Sequence, residues 1–164
     1  MLIITSSAIG QATMSLTMNV KNNVTSVLAG DKYVYQLAYS VSSTTAGITG
    51  AKIVIDLPDG ADVYAVGDYV GTIHAPIANF VYSAPVGGDK KLTINFISPL
   101  SSGSTGTLEF AVRTTNLLTP NGTVQTSTAE FTGTNGGSNY TSGVKTGSVT
   151  VNATPDLCVQ KKMV

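Results

Sequence analysis

The stretch Gly30–Ser43, GDKYVYQLAYSVSS, decides how the rest of the chain is read. Tyr35, Leu37, Tyr39 and Val41 fall on alternate positions, with Gln36, Ala38 and Ser40 between them. Successive side chains of a strand point to opposite faces, so this period of two reads as a half-buried β-strand. A Gly-Asp pair opens the run, and the β-branched and aromatic residues within it favour a pleated surface.

The same period recurs on both sides. Upstream, MSLTMNV places Met14, Leu16, Met18 and Val20 on one face and Ser15, Thr17, Asn19 and Lys21 on the other. Downstream, GAKIVIDLP turns Ala51, Ile53, Ile55 and Leu57 inward. ADVYAV, GTIHAPI and NFVYS read as short edge or crossover strands. KKLTINFIS offers Leu92, Ile94 and Phe96, and GTLEFAVRT offers Leu108, Phe110 and Val112. In TVQTSTAEFTG the core face is Ser127, Ala129 and Phe131, with Val124 out of phase. SGVKTGSVTVNA closes the series with Val149 and Val151. LPDGAD and TPNGT are turn sequences in which Gly follows Asp or Asn, and VGGDK, SSGSTG and GTNGGSN are loops by composition. No long stretch carries a 3.6-residue period. The expectation is an all-β, Ig-like Greek-key β-sandwich of about 8–10 strands with an extended terminal strand segment. The organisation that follows is an N-terminal extension over 1–13, the sandwich over 14–153, and a C-terminal strand or linker over 154–164.

Composition narrows the function classes. Charged residues make up 11% of the 164 positions, against about a quarter in ordinary domains, and nine basic residues balance nine acidic ones. No basic stripe exists to bind nucleic acid. A near-zero net charge removes a barrier to self-association. Cys158 is the one cysteine, so packing and not an internal disulfide must hold the fold. The first residues, MLIITSSAIGQATMSL, show neither a basic leader nor an apolar run long enough to span a membrane. A removed leader, a larger parent protein and another export route all fit that pattern.

An enzyme is not expected. A Ser-His-Asp site needs a histidine, and His74 is the one histidine, in GTIHAPI with no acid close in sequence. No zinc spacing or phosphate-cradling glycine loop appears. Four acids around one turn, Asp56, Asp59, Asp62 and Asp68, make a candidate calcium site; their spacing is not that of an EF-hand loop. No other cofactor is expected. A lysine–asparagine crosslink would draw on Lys21, Asn152 and either Asp56 or Glu109, but Lys21 falls on the polar face of its strand. Asn23, Asn121, Asn139 and Asn152 head glycosylation sequons, which matter only in a host that uses them. Seven tyrosines raise a sugar-binding face as a rival to plain strand packing.

Three segments in order resemble one family. VLAGDKYVYQLAYSV, AKIVIDLPDGADV and SGSTGTLEFAVRTTNLLTPNGTVQTSTAEFTG are similar to the conserved-repeat domains found in tandem in bacterial and archaeal cell-surface proteins. The match departs from the family pattern by one missing residue between Asp56 and Leu57 and by Ser127 in place of the usual Asn. The resemblance implies an Ig-like sandwich acting as a stalk or spacer on a cell surface. PDLCVQKKMV, at 155–164, is similar to the strand that opens each repeat.

That closing segment yields the functional expectation: a structural, non-enzymatic, extracellular or cell-surface module of a filament or stalk. Leu157, Cys158 and Val159 are read as an assembly strand, either the start of a next repeat or a strand donated to a neighbouring copy. Met14, Leu16, Met18 and Val20 are read as the edge strand that pairs. Expected partners are copies of the chain or adjacent repeats. The alternatives are an adhesin module binding carbohydrate or host protein, through loops around Asp59–Asp68 and GTNGGSNY, and a viral fibre or capsid-decorating protein.

Overall fold

The computed structural model describes residues 11–42, 47–65, 76–85, 90–114 and 120–153. Eleven strands lie within them: β1 (Thr13–Val20), β2 (Ser26–Leu28), β3 (Lys32–Ser42), β4 (Thr49–Leu57), β5 (Ala61–Ala65), β6 (Ile77–Ser83), β7 (Lys90–Phe96), β8 (Thr105–Thr114), β9 (Thr123–Asn135), β10 (Ser138–Thr141) and β11 (Lys145–Asn152). A short 3-10 turn, Lys21–Asn23, separates β1 from β2. No helix among the described residues is long and apolar enough to cross a membrane.

The strands form two layers. The narrow sheet runs β1-β3-β8-β5, and the wide sheet runs β2-β11-β9-β4-β7-β6, with β10 also paired to β9. Consecutive strands switch layers repeatedly, as in β3 to β4 to β5, so the chain weaves both sheets into one sandwich. All pairings are antiparallel except β2 with β11, which is parallel.

The period-two pattern explains the core. On β3 it turns Tyr33, Tyr35, Leu37, Tyr39 and Val41 inward. On the wide sheet Ile53, Ile55, Leu92, Ile94, Ala129 and Phe131 meet them. Each side chain of this size contributes about 1.5–3 kcal/mol when fully buried. Aromatic rings tie the layers, with Tyr39 4.8 Å from Phe96 and 5.8 Å from Phe131, and within the narrow sheet Tyr35 lies 5.2 Å from Phe110, centroid to centroid. Offset and edge-on pairs at these distances add to simple burial. Ala12, just before β1, is also buried, so packing starts ahead of the expected boundary at Met14.

Two tyrosines and a glutamine inside the sandwich are bonded, while the buried Ser127 Oγ has no hydrogen-bond partner among the described residues. The Tyr35 hydroxyl donates to the Gly147 carbonyl at 3.0 Å, and the Tyr33 hydroxyl donates to Gln125 Oε1 at 3.3 Å. Gln125 Nε2 in turn donates to the Gly60 carbonyl at 3.2 Å. A buried amide without such partners would cost its full desolvation penalty.

The outer faces are built from hydroxyls. On the narrow sheet Thr13 pairs with Ser42, and Ser15 Oγ lies 2.6 Å from Ser40 Oγ. On the wide sheet Thr126 meets Ser148 at 2.8 Å and Thr49 meets Thr134 at 2.7 Å. Directly opposed hydroxyls satisfy one another across neighbouring strands.

Candidate assembly edge

Strand β1 stands at the end of the narrow sheet, with β3 as its only ladder partner among the described residues. Its register with β3 is unbroken from Thr13↔Ser42 to Val20↔Tyr35. Met14, Leu16 and Met18 are buried, and Val20 is half-buried. No charge, proline or bulge interrupts its eight residues. The strand ends where Asn22 and Asn23 take φ of 59° and 53°, a left-handed bend that asparagine tolerates better than most residues.

The other sheet ends are blunted. Strand β5 has five residues, a register shift between Val63 and Ala65, and the charged Asp62. Strand β6 shifts register between Ile77 and Asn79, and β2 is three residues long. Shortness, bulges and charge are the devices that keep exposed edges from pairing with other chains. Among the described residues β1 is the edge strand with none of them.

Across the sandwich seam from β1 lies β11, whose outer side meets β2 only at Thr150–Asn152. Between the two edges runs a shallow groove of about 260 Å³ lined by Met18, Val20, Val24, Thr25, Gly147 and Ser148, among others. A strand laid there meets a backbone edge and a floor of mixed apolar and polar groups, Met18, Val20 and Val24 beside Asn19, Asn23 and Thr146. One end of the β1 face carries charge: Lys21 Nζ sits 2.6 Å from Glu109 Oε2, while Gln36 Nε2 donates to Glu109 Oε1 at 2.9 Å.

The sequence-derived candidates fall into three groups. The residues of the edge strand are together, as above. Leu157, Cys158 and Val159 lie outside the described residues, as do Asp68, Tyr69 and His74. The remaining acids are drawn apart by their partners. Asp56 Oδ1 pairs with Lys91 Nζ at 3.0 Å, while Asp62 Oδ2 pairs with Lys90 Nζ at 3.3 Å and Oδ1 accepts from the Tyr82 hydroxyl. Asp59 is exposed in the turn between β4 and β5. No three His, Cys, Asp or Glu side chains among the described residues come close enough to hold a metal.

The described tyrosines do not form one face. Tyr33, Tyr35 and Tyr39 are core residues, Tyr82 and Tyr140 are half-buried, and Tyr64 is exposed beneath Lys32, whose Nζ lies 3.4 Å from the ring centre. The GTNGGSNY segment borders a depression of about 440 Å³ lined by Lys52, Thr132, Thr134, Asn139, Tyr140 and Thr141, with Gly50 and Gly133. Lys21 is tied to Glu109 on the outer surface, which keeps it out of the core position a crosslink to Asn152 would require.

Two features escaped the sequence reading. Strand β2 is held through its backbone, so its side chains carry no clear pattern. Strand β10 sits inside a segment whose glycines read as loop; Gly136 and Gly137, at φ of 56° and 83°, in fact make the hairpin turn between β9 and β10.

The chain is similar in fold to bacterial sandwich modules. It aligns with the full-length major pilin SpaD from Corynebacterium diphtheriae at a TM-score of 0.57 and 14% identity, over 84% of this chain and 34% of that one. A type I cohesin–dockerin complex from Clostridium thermocellum, Coh-OlpC-Doc435, matches at 0.54 and 12%, over 88% and 98%. The major pilin subunit BcpA of Bacillus cereus matches at 0.52 and 13%, over 88% and 41%. The chain thus spans well under half of either pilin. The sequence matches no family model and no curated protein.

Proposed function

We propose that the protein is a non-catalytic structural module of an extracellular or cell-surface assembly, joined to neighbouring copies or repeats through β-strand pairing at β1. One observation carries this reading: β1 is long, regular and uncharged, while the other sheet ends are short, bulged or charged. An edge of that kind accepts an incoming strand through main-chain hydrogen bonds, with alternate side chains reading the groove. The segment around Leu157 and Val159 has the matching alternation and is the donor in this proposal. Because donor and acceptor are different surfaces, the contact is heterologous and propagates into a fibre. The fold's occurrence in major pilins and in a cohesin solved with its dockerin supports a module with protein partners.

The test is electron microscopy of purified protein beside two variants, deletion of 155–164 and Thr17→Lys. Thr17 lies on the outer face of β1, so a lysine there charges the edge without touching the core. Filaments from the wild type that both variants lose support the reading. Globules in all three samples defeat it. A ligand-binding module remains the second reading, favoured by the depression beside Lys52 and Tyr140. Saturable glycan binding lost in Lys52→Ala would place the function there.

A further inference from the structure

The path of the chain through the sandwich fixes where a pulling force would act. Thr13 at the start of β1 pairs with Ser42 at the end of β3. Leu28 at the end of β2 pairs with Asn152 at the end of β11, and a four-residue turn leads from Leu28 back to Lys32 at the start of β3. The described chain therefore enters beside one end of β3 and leaves near the other. The eleven residues of β3 span roughly 36 Å at strand rise.

Between entry and exit the first and last segments touch directly. Strand β2 continues from β1 and lies parallel to β11, with Ser26, Val27 and Leu28 beside Thr150, Val151 and Asn152. Thr150 N donates to the Thr25 carbonyl at 2.9 Å, and Ala29 N donates to the Asn152 carbonyl at 3.2 Å, so backbone bonds close both ends of the pair. Tension drawn through the chain at both ends pulls β2 one way and β11 the other, along their common axis. In a parallel pair that loading shears all the bonds together; in a pair pulled from one shared end they open one at a time. The flanking ladders, β1 with β3 and β11 with β9, lie along the same direction and share the load.

We infer that the sandwich is a tension-bearing unit, with β2 and β11 as the clamp that carries end-to-end load in shear. The inference deepens the structural-module reading and names the mechanical role such a module would have. It is tested on single molecules, independently of whether copies assemble.

The turn Leu28–Asp31 supplies a selective variant. Asp31 N donates to the Leu28 carbonyl at 3.0 Å and Gly30 has φ of 92°, so Ala29 occupies the position of a type II turn that proline favours. Ala29→Pro keeps the turn and removes the N–H that bonds Asn152. Asp59→Pro is the matched control, because Ala61 N bonds the Pro58 carbonyl and Gly60 has φ of 75° in a turn away from the clamp.

Optical-tweezer unfolding is measured in two directions. One pulls through both chain ends. The other pulls between the C-terminal end and an Asn121→Cys attachment in a Cys158→Ser background; Asn121 lies beside the exit, where Ala153 N bonds its Oδ1, so this direction unzips β9 from β11. End-to-end pulling is expected to need at least about twofold more force, because bonds loaded together must fail together. Ala29→Pro should lower the end-to-end force and leave the unzipping force unchanged, while Asp59→Pro changes neither. Equal forces in the two directions overturn the inference, and so does an end-to-end force that Ala29→Pro does not lower. Should Ala29→Pro not fold, the two directions measured on chains that retain Ala29 decide alone. Loss of filaments with an intact force difference would sink the assembly reading and not this one.

Discussion

Gly147 on the wide sheet packs directly under Tyr35 of the narrow sheet, and replacing it with alanine tests that packing. A Cβ built there would sit 2.6 Å from Tyr35 Cε1 and 3.1 Å from Cδ1, against 3.4 Å or more for ordinary contact. About 0.8 Å of movement is needed, and Tyr35 has little freedom to supply it. The ring is fully buried, Phe110 and Tyr33 flank it at 5.2 and 5.3 Å, and its hydroxyl is bonded to the carbonyl of Gly147 itself. Overpacking of this kind costs about 1–3 kcal/mol. Displacing the ring also strains a hydrogen bond worth roughly 1 kcal/mol. Gly147→Ala should therefore lose about 2–4 kcal/mol of a total on the order of 5–15 kcal/mol. Urea denaturation followed by tyrosine fluorescence reads this as a lower midpoint with an unchanged slope. In a domain of this size the melting temperature should fall by about 4–16 °C. Tyr35→Leu in the Gly147→Ala background should recover part of the overpacking loss, since the ring that collides is gone. A Gly147→Ala protein within about 0.5 kcal/mol of the parent, the range of a neutral surface change, would refute the reasoning.

Three further outcomes are expected. Gly133→Ala drives a methyl into Ile48 Cγ2, well inside contact distance, and should destabilise by about 1–3 kcal/mol, with Ile48→Val restoring part of it in thermal melts. Burial, reinforced by the Asp62 carboxylate, pushes the Tyr82 phenol from 10.0 up to about 12. Its folded form prefers to keep the proton, so its contribution to stability is complete below pH 10 and is lost as pH climbs toward 12; tyrosinate absorbance and denaturation midpoints across that window check this. Lys91→Ala should shift stability by no more than about 1 kcal/mol, because the Asp56–Lys91 pair is nearly half exposed on both sides; a double-mutant cycle with Asp56→Ala measures it.

The sandwich was legible because its layers are half-buried. Tyr35, Leu37, Tyr39 and Val41, the stretch first quoted, all point into the core, as do Ile53, Ile55, Leu92, Ile94 and Phe110. Ser127, Ala129 and Phe131 face inward as their parity requires, while Val124, the out-of-phase residue, is exposed. The same phase turns Gln125 inward, where Tyr33 and Gly60 satisfy it. Hydropathy alone would have exchanged those two neighbours, and the register of the whole strand overrides it. Backbone-made features were not legible: β2 is recruited by hydrogen bonds to β11, and Ile48 joins the core through a two-bond bridge to Leu100. For the candidate site, the run Met14–Val20 marked the strand, and its reading as the pairing edge came from the expected assembly role, because no residue pattern shows which side of a strand ends a sheet. That property belongs to the topology and appears only once the other strands are placed. The acids around Asp56–Asp62 were adjacent in sequence, yet Lys90 and Lys91 on the neighbouring strand draw two of them toward separate cations.

The paired hydroxyls on both outer faces set how the molecule meets its surroundings. Ser15 with Ser40, Thr126 with Ser148 and Thr49 with Thr134 hold their geometry without any formal charge. Dissolved ions weaken attractions and repulsions between exposed charges and have little purchase on neutral dipoles locked to each other. A coat of this kind keeps the same character in brine and in fresh water.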